Sequence, residues 1–365
     1  MKSDKGVSVL STFRFALLLC AMVFFLGACR APKEPNNSAP TGEMSSSVGE
    51  ETQEKSEAKE MPPTQTKLRL AALKGPTSMG MAYVLSSSEQ GETVQESRIL
   101  GAPDEIVPLL LKKEIDVAAV PSNLAAVLYA KTKGDIQVLN INTLGVLYLV
   151  ERGDRTHMMQ DLKGKTVLAS GKGSTPEFVL RYLLEAHGLR PEDISLEWKS
   201  EHAEVVAALA ENEDAIALLP EPFVSSAEAQ FSDFRRALDL TAEWEAVQHE
   251  ENHPSALVMG VLVARREVVQ DHPEEISHLL TRVAESVAKV NADPVAASKV
   301  IGALGIVPEK IAAKAIPHAN IVCLTGEEMK TKLEGYLRIL EQLNPKAIGG
   351  TLPAEDFYYL PEGTK

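Results

Sequence analysis

Two short segments have the make-up of a backbone cradle: Lys74-Gly75-Pro76-Thr77-Ser78-Met79-Gly80 and Ser170-Gly171-Lys172-Gly173-Ser174-Thr175-Pro176. Each lies between a strand-like apolar run and a helix-like one. The first N–H groups of a helix have no internal partners, and the helix dipole is positive there. Glycine lets a ligand approach that backbone, and hydroxyls add directional hydrogen bonds. Thr77 and Ser78 in one segment, with Ser174 and Thr175 in the other, are therefore candidates to grip one polar or anionic group from two sides. Met79 is a candidate to line the same space, and Lys74 and Lys172 could add positive charge. The competing use is plain helix capping, the commonest employment of Ser and Thr before a helix.

Two later turns repeat the arrangement, Pro121-Ser122-Asn123 and Pro220-Glu221-Pro222-Phe223. Ser122 and Asn123 offer hydroxyl and amide groups. Glu221 could receive an ammonium, amidine or hydroxyl, or serve only as an acid near a helix start. Phe223 could stack on a ring or simply pack. A different chemistry is suggested by His249-Glu250-Glu251-Asn252-His253, which matches H-E-x-x-H, the zinc-protease pattern. That chemistry needs both histidines on one helical face and a third ligand later. Pro254 follows directly and biases His253 out of the helical region, so a loop is the expected reading and no metal is expected. Pro76-Thr77-Ser78-Met79-Gly80 fails the G-x-S-x-G elbow at its first position. No G-x-x-x-x-G-K-[ST] loop occurs, so the chain is not itself an ATPase.

The elements that must position these groups show an internal echo. The first copy has a strand at 67–73, a helix to 85, a strand at 94–100, a helix at 104–113, a strand at 116–120 and a helix from 124. The second has a strand at 166–169, a helix at 177–187, a strand at 194–198, a helix at 203–210 and a strand at 215–219. Thr77 and Pro121 stand 44 residues apart, and Thr175 and Pro220 stand 45 apart. Alternating strands and helices predict mainly parallel sheets covered by helices. The runs at 117–120 and 215–219 lack polar alternation, as strands buried on both faces do. Ligands of such sheets bind beyond the carboxyl ends of the strands, where all four turns fall. An apolar run at 256–264 should return the chain to the first lobe. The last third predicts helices at 273–291, 294–304, 308–315 and up to 343, with Thr325 and Glu328 as a capping box for the last.

Composition narrows the class. The 365 residues are 44% hydrophobic and 24% charged, a globular balance suited to two domains. A formal net charge of −14 opposes nucleic-acid binding, and an aromatic content of 5% is low for a base- or sugar-stacking platform. Lys2, Lys5 and Arg14 precede an apolar run from Phe15 to Leu26, too short to span a bilayer but suited to a signal-peptide core. Residues 30–66 are rich in Pro, Ser, Thr and Glu and read as a disordered tether. Cys20 falls in the leader, and Cys323 in an apolar stretch reads as a buried small hydrophobe.

Leu26-Gly27-Ala28-Cys29 resembles the bacterial lipobox, which implies a lipidated Cys29 and an extracytoplasmic, membrane-anchored protein. Together with the two Gly-rich segments and the tail Asn344-Pro345-Lys346-Ala347-Ile348-Gly349-Gly350, the chain resembles ABC-importer solute-binding lipoproteins of the nitrate/sulfonate/taurine class. The resemblance implies a type II periplasmic-binding-protein fold of the α/β class, two Rossmann-like lobes joined by a two-strand hinge. It gives a leader at 1–29, a tether at 30–66, lobe 1 at 67–150 plus 254–365, and lobe 2 at 151–253. It implies a monomer without cofactor that is not an enzyme, carrying a small polar or anionic solute to a partner ABC permease and ATPase. Relatives of this fold bind anions, sulfonates, thiamine precursors or riboflavin-like rings. The alternatives are a same-fold biosynthetic enzyme, of the pyrimidine- or menaquinone-pathway kind, and a zinc protease using His249, Glu250 and His253.

Overall fold

The chain enters its first sheet through β1 (Leu68–Leu73), whose residues are nearly all buried. A computed structural model describes residues 67–86, 94–251 and 255–361. The leader, Cys29 and the tether lie outside the described residues. All described residues belong to one compact unit, which begins at Met61.

After β1 come α1 (Pro76–Met79), α2 (Ala82–Ser86), β2 (Val94–Leu100), α3 (Pro103–Leu111), β3 (Val117–Pro121), α4 (Ser122–Thr132) and β4 (Ile136–Thr143). A second run holds β5 (Leu147–Arg152), β6 (Thr166–Ser170), α5 (Thr175–Ala186), β7 (Ser195–Lys199), α6 (His202–Glu211), β8 (Ile216–Pro220), α7 (Phe223–Gln230), β9 (Phe234–Asp239) and α8 (Leu240–Glu251). The chain then continues through β10 (Gly260–Arg265), α9 (Arg266–Asp271), α10 (Pro273–Ala292), α11 (Pro294–Ala303), α12 (Glu309–Ala315), β11 (Ile321–Leu324) and α13 (Gly326–Leu343).

The strands form two sheets, ordered β11-β4-β10-β3-β1-β2 and β7-β6-β8-β5-β9. Leaving β11 aside, both follow one plan. A parallel trio is ordered second, first, third, then comes an antiparallel visitor, then a fourth strand. The visitor in the first sheet is β10, which arrives after the whole second sheet; the visitor in the second is β5, which arrives directly from β4. This is the type II periplasmic-binding fold, two Rossmann-like lobes with two connecting strands, as expected.

Burial explains the order. Val117–Val120 and Ile216–Leu219 are at most 1% exposed, so β3 and β8 take inner places covered on both faces. Each Val, Leu or Ile side chain among them contributes about 1.5–3 kcal/mol of burial. In α10 the buried residues Ile276, Leu279, Leu280, Val283, Val287 and Val290 form one stripe, begun by Pro273 in the first turn.

Two local expectations need correction. Thr325 makes no side-chain capping bond, because Gly326 takes left-handed backbone (φ 62) and breaks the geometry of a capping box. Cys323 is half-buried rather than buried, and its sulfur accepts a hydrogen bond from Asn140 Nδ2 at 3.1 Å.

Candidate functional site

Strand direction brings the predicted turns to one region. Since β3 and β4 are both antiparallel to β10, they end at the same edge as β1, where β10 begins. In the second sheet β5 starts beside the end of β8, and β6 ends at that edge too. The connection 144–146 therefore joins carboxyl edge to carboxyl edge, and residues 255–259 lead into β10 at that same edge of the first sheet. The first connection is tightly packed: a side chain at Gly145 would collide with Thr241 and Leu257. Asn320 Nδ2 donates to the Gly145 carbonyl at 2.6 Å.

On the first edge, Thr77 is half-buried and its methyl lies against Gly260, beside Asn142 Oδ1. Asn142 is 2% exposed and its Nδ2 has no hydrogen-bond partner among the described residues. Ser122 opens α4; its hydroxyl donates to the Val258 carbonyl at 2.6 Å. Asn123 Nδ2 reaches the Ala347 carbonyl at 3.4 Å, tying α4 to the Gly-rich tail. Ser78 and Met79 serve the fold. The Ser78 hydroxyl donates to the Leu73 carbonyl at 2.5 Å, and both residues are wholly buried, Met79 within the apolar core of the first sheet. With helix α1 only four residues long, half of its side chains turn under the sheet edge instead of outward.

On the second edge, Ser174 folds its hydroxyl onto the Gly171 carbonyl at 2.5 Å. Glu177, 6% exposed, accepts the Gly173 N–H at 2.6 Å and is paired with Arg181 at 2.7 Å. A carboxylate of the chain itself thus occupies a donor that an anion would use. Glu221 is also engaged. It is 2% exposed, accepts from the Ser225 N–H and hydroxyl at 3.2 and 3.1 Å, and pairs with Arg236 at 2.5 Å. Burial raises its pKa, and Arg236 only partly offsets that. Arg236 also pairs with Glu228 and lies over the Tyr148 ring. The Tyr148 hydroxyl donates to the His318 carbonyl at 2.8 Å, between β11's approach and the second sheet.

The two edges meet at Tyr336 of α13, which is wholly buried. Its hydroxyl faces the hydroxyls of Thr175, from the second lobe, and Ser122, from the first. Neither forms a well-aligned bond with it, so a buried phenol is left with polar neighbours but no settled partner among the described residues. Burial pushes its pKa up, and the two neighbouring hydroxyls draw it back slightly. Trp244 of α8 packs against Tyr336 with ring centres 5.6 Å apart.

His202 is a further group that sequence reasoning missed. Its Nδ1 lies 2.6 Å from the Ser170 hydroxyl at the end of β6, and its ring lies 4.7 Å from that of Phe223. Burial lowers its pKa and favours the neutral ring. With the serine donating, Nδ1 accepts and Nε2 carries the proton. The echo held a signal for it, since His202 occupies the second strand-to-helix turn of the second copy. Tyr336 and Trp244 carried none, because residues 244 and 336 meet only through the fold.

His249 is exposed in the last turn of α8; the side chains of Glu250 and Glu251 and the residues 252–254 lie outside what the structure describes. Among the described residues no three His, Cys, Asp or Glu side chains gather in a metal-holding group. No described helix is long and apolar enough to cross a membrane.

Known proteins resemble this chain at three levels. An ABC transporter structure from Parabacteroides distasonis superposes with a TM-score of 0.66 at 26% identity, covering 82% of this chain and 100% of that one. The periplasmic aliphatic sulphonate binding protein SsuA from Escherichia coli superposes with a TM-score of 0.63 at 17% identity, covering 81% and 92%. These neighbours include the sulfonate-binding class that the sequence motifs resemble. A curated relative, the putative binding protein YtlA of Bacillus subtilis, is 30% identical over 170 residues. That match covers 44% of this chain and 51% of the relative, so the chain spans about half the length of the curated relative it matches. A family model described as menaquinone biosynthesis matches residues 68–312, from β1 into α12. The chain belongs to that menaquinone-biosynthesis family, built on the fold of ABC-transporter solute-binding proteins.

Proposed function

We propose that this protein is an extracytoplasmic solute-binding lipoprotein. It closes its two lobes on a small polar organic solute and presents it to the permease and ATPase of an ABC importer. The observation that carries this reading is the approach of Thr175 and Ser122, from opposite lobes, to one buried phenol. A ligand touching both lobes only when they close shifts an open–closed equilibrium toward closure. The contact set comprises Thr77, Ser122, Asn123, Ser174, Thr175 and Phe223, with His202 and Asn142 added by geometry. Their chemistry is hydroxyl, amide and imidazole, suited to a neutral polar solute. Glu177 on the Gly173 N–H argues against an anionic group at the second loop. Cys29 in its lipobox supports a lipid anchor on the outer face of the membrane.

Lobe closure is tested by small-angle scattering after a thermal-shift screen of vitamins, sulfonates and amino acids has found a stabilising solute. A smaller radius of gyration at saturation supports the reading; an unchanged radius rejects it. The family's description favours a second reading, a biosynthetic enzyme on the same fold, with His202 and Ser170 handling a proton. Recovery of the stabilising solute unchanged after prolonged incubation with the protein excludes it; a new product establishes it.

A further inference from the structure

An open cavity of about 980 Å³ lies beside the central cleft, walled by α5 and α8 of the second lobe and α13 of the first. It is separate from the strand-end loops. Thr175 opens α5 and Glu185 lines the cavity ten residues later, about 15 Å along the helix. Its size lies at the upper end of the range of small-molecule sites.

The chemistry of its lining is specific. Gln248 is 4% exposed, and its Nε2 donates to the Tyr182 hydroxyl at 2.7 Å. Its Oε1 has no hydrogen-bond partner among the described residues, nor does the Ser255 hydroxyl. An unpaired buried amide oxygen costs about 1–3 kcal/mol unless something supplies a donor. Tyr182 packs on Trp244 with ring centres 4.7 Å apart, giving the cavity an aromatic wall. Two charges of the lining cancel, since Arg338 pairs with Glu334 at 2.6 Å. Among the described lining residues, Glu185 is the formal charge left over.

We propose that this cavity is a second ligand site, for an aromatic ring compound bearing an ammonium or amidinium group. Gln248 Oε1 and Ser255 accept hydrogen bonds at its floor, Tyr182 supplies a ring face that attracts cations, and Glu185 balances the charge. Because its walls come from both lobes, an occupant touches the same opening and closing motion as the central solute. The site stands apart from the central cleft and does not depend on the identity of the solute held there.

The test is isothermal titration calorimetry of the purified protein with three probes sharing one ring system: tryptamine, its neutral alcohol analogue tryptophol, and the anion indole-3-propionate. Tryptamine is expected to bind at least tenfold more tightly than indole-3-propionate, with tryptophol between. Glu185→Gln should bring tryptamine to the level of tryptophol, and Gln248→Leu should weaken both at least fivefold. Gly335→Leu, which narrows the cavity from a helix that tolerates leucine, should weaken tryptamine at least fivefold and covers the case in which Gln248→Leu fails to fold. The double variant Ser122→Ala/Thr175→Ala should bind tryptamine as the unaltered protein does. Equal or tighter binding of the anion, no binding of any probe at millimolar concentration, or indifference to Glu185→Gln and Gly335→Leu each overturns the proposal. Loss of tryptamine binding in the Ser122/Thr175 variant alone would move the amine to the central cleft, overturning the second site while sparing the proposed solute-binding role.

Discussion

The two lobes share a strand plan but use the same loop differently. In the first, Ser78 is drawn under the sheet edge and Thr77 is left beside Asn142, whose amide nitrogen has no partner among the described residues. In the second, Gly171 and Gly173 both take left-handed backbone, which glycine alone adopts freely, and the donor they expose is filled by Glu177. A duplicated topology therefore does not duplicate a binding surface. The backbone brings equivalent positions together, and the side chain three or four residues later decides whether a donor remains available.

Charge placement differs in the same way. At the amino edge of the first sheet, burial raises the pKa of Asp116, but bonds from Arg69 and Arg265 outweigh it and leave the pKa lowered. At the carboxyl edge of the second, Glu221 is raised, since burial outweighs Arg236. The signs of their pH effects are opposite. Asp116 stabilises above the ordinary carboxylate range, near pH 4, and that stability is lost as pH falls through its lowered pKa. Glu221 favours the fold at acid pH and loses that contribution as pH rises through its raised pKa.

The largest expected effect comes from Arg236→Met, which leaves the Glu221 carboxylate buried with only Ser225. Urea unfolding at neutral pH should show a loss of about 3–5 kcal/mol; a loss under 1 kcal/mol would mean that the ion pair contributes little. Asp116→Asn should cost about 2 kcal/mol at pH 7 and flatten the fall of melting temperature below pH 4, whereas a parallel acid profile would deny its lowered pKa. Ser122→Ala/Thr175→Ala should weaken solute binding by about tenfold or more, one hydrogen bond per lobe, with a loss of stability of only about 1 kcal/mol from the broken Ser122–Val258 bond. Retained affinity would reduce both residues to helix starts. Tyr336→Phe should change stability by less than about 1 kcal/mol, because the hydroxyl it removes has no settled partner. A comparably small effect is expected from Glu177→Ala. It should cost about 1 kcal/mol and give the second loop a measurable affinity for sulfate that the unaltered protein lacks; no gain would show that the loop is closed to anions for another reason.

Much of the fold was legible because two kinds of run were unambiguous. The continuous apolar strands at 117–120 and 216–219, and the turns after them, located both copies within a residue or two. Strands β4 and β9 were harder. Asn140, Asn142 and Thr143 bury polar groups in β4, where the register also slips twice against β10. Arg235 and Arg236 interrupt β9 with charges that pair elsewhere. The site was legible only as loops. Whether Ser78 and Thr175 face the ligand or the sheet depends on backbone angles that residue type does not set. Trp244 and Tyr336, which pack together from α8 and α13, lie on helices whose pattern reads as ordinary core.

The facing of the two loops is tested most directly by distance measurement between spin labels at Lys74→Cys and Lys172→Cys, with Cys323→Ser to remove the native thiol. Addition of a stabilising solute is expected to shorten and narrow the distance distribution. A long distance that the solute leaves unchanged would place the loops on separate surfaces and contradict a shared clamp.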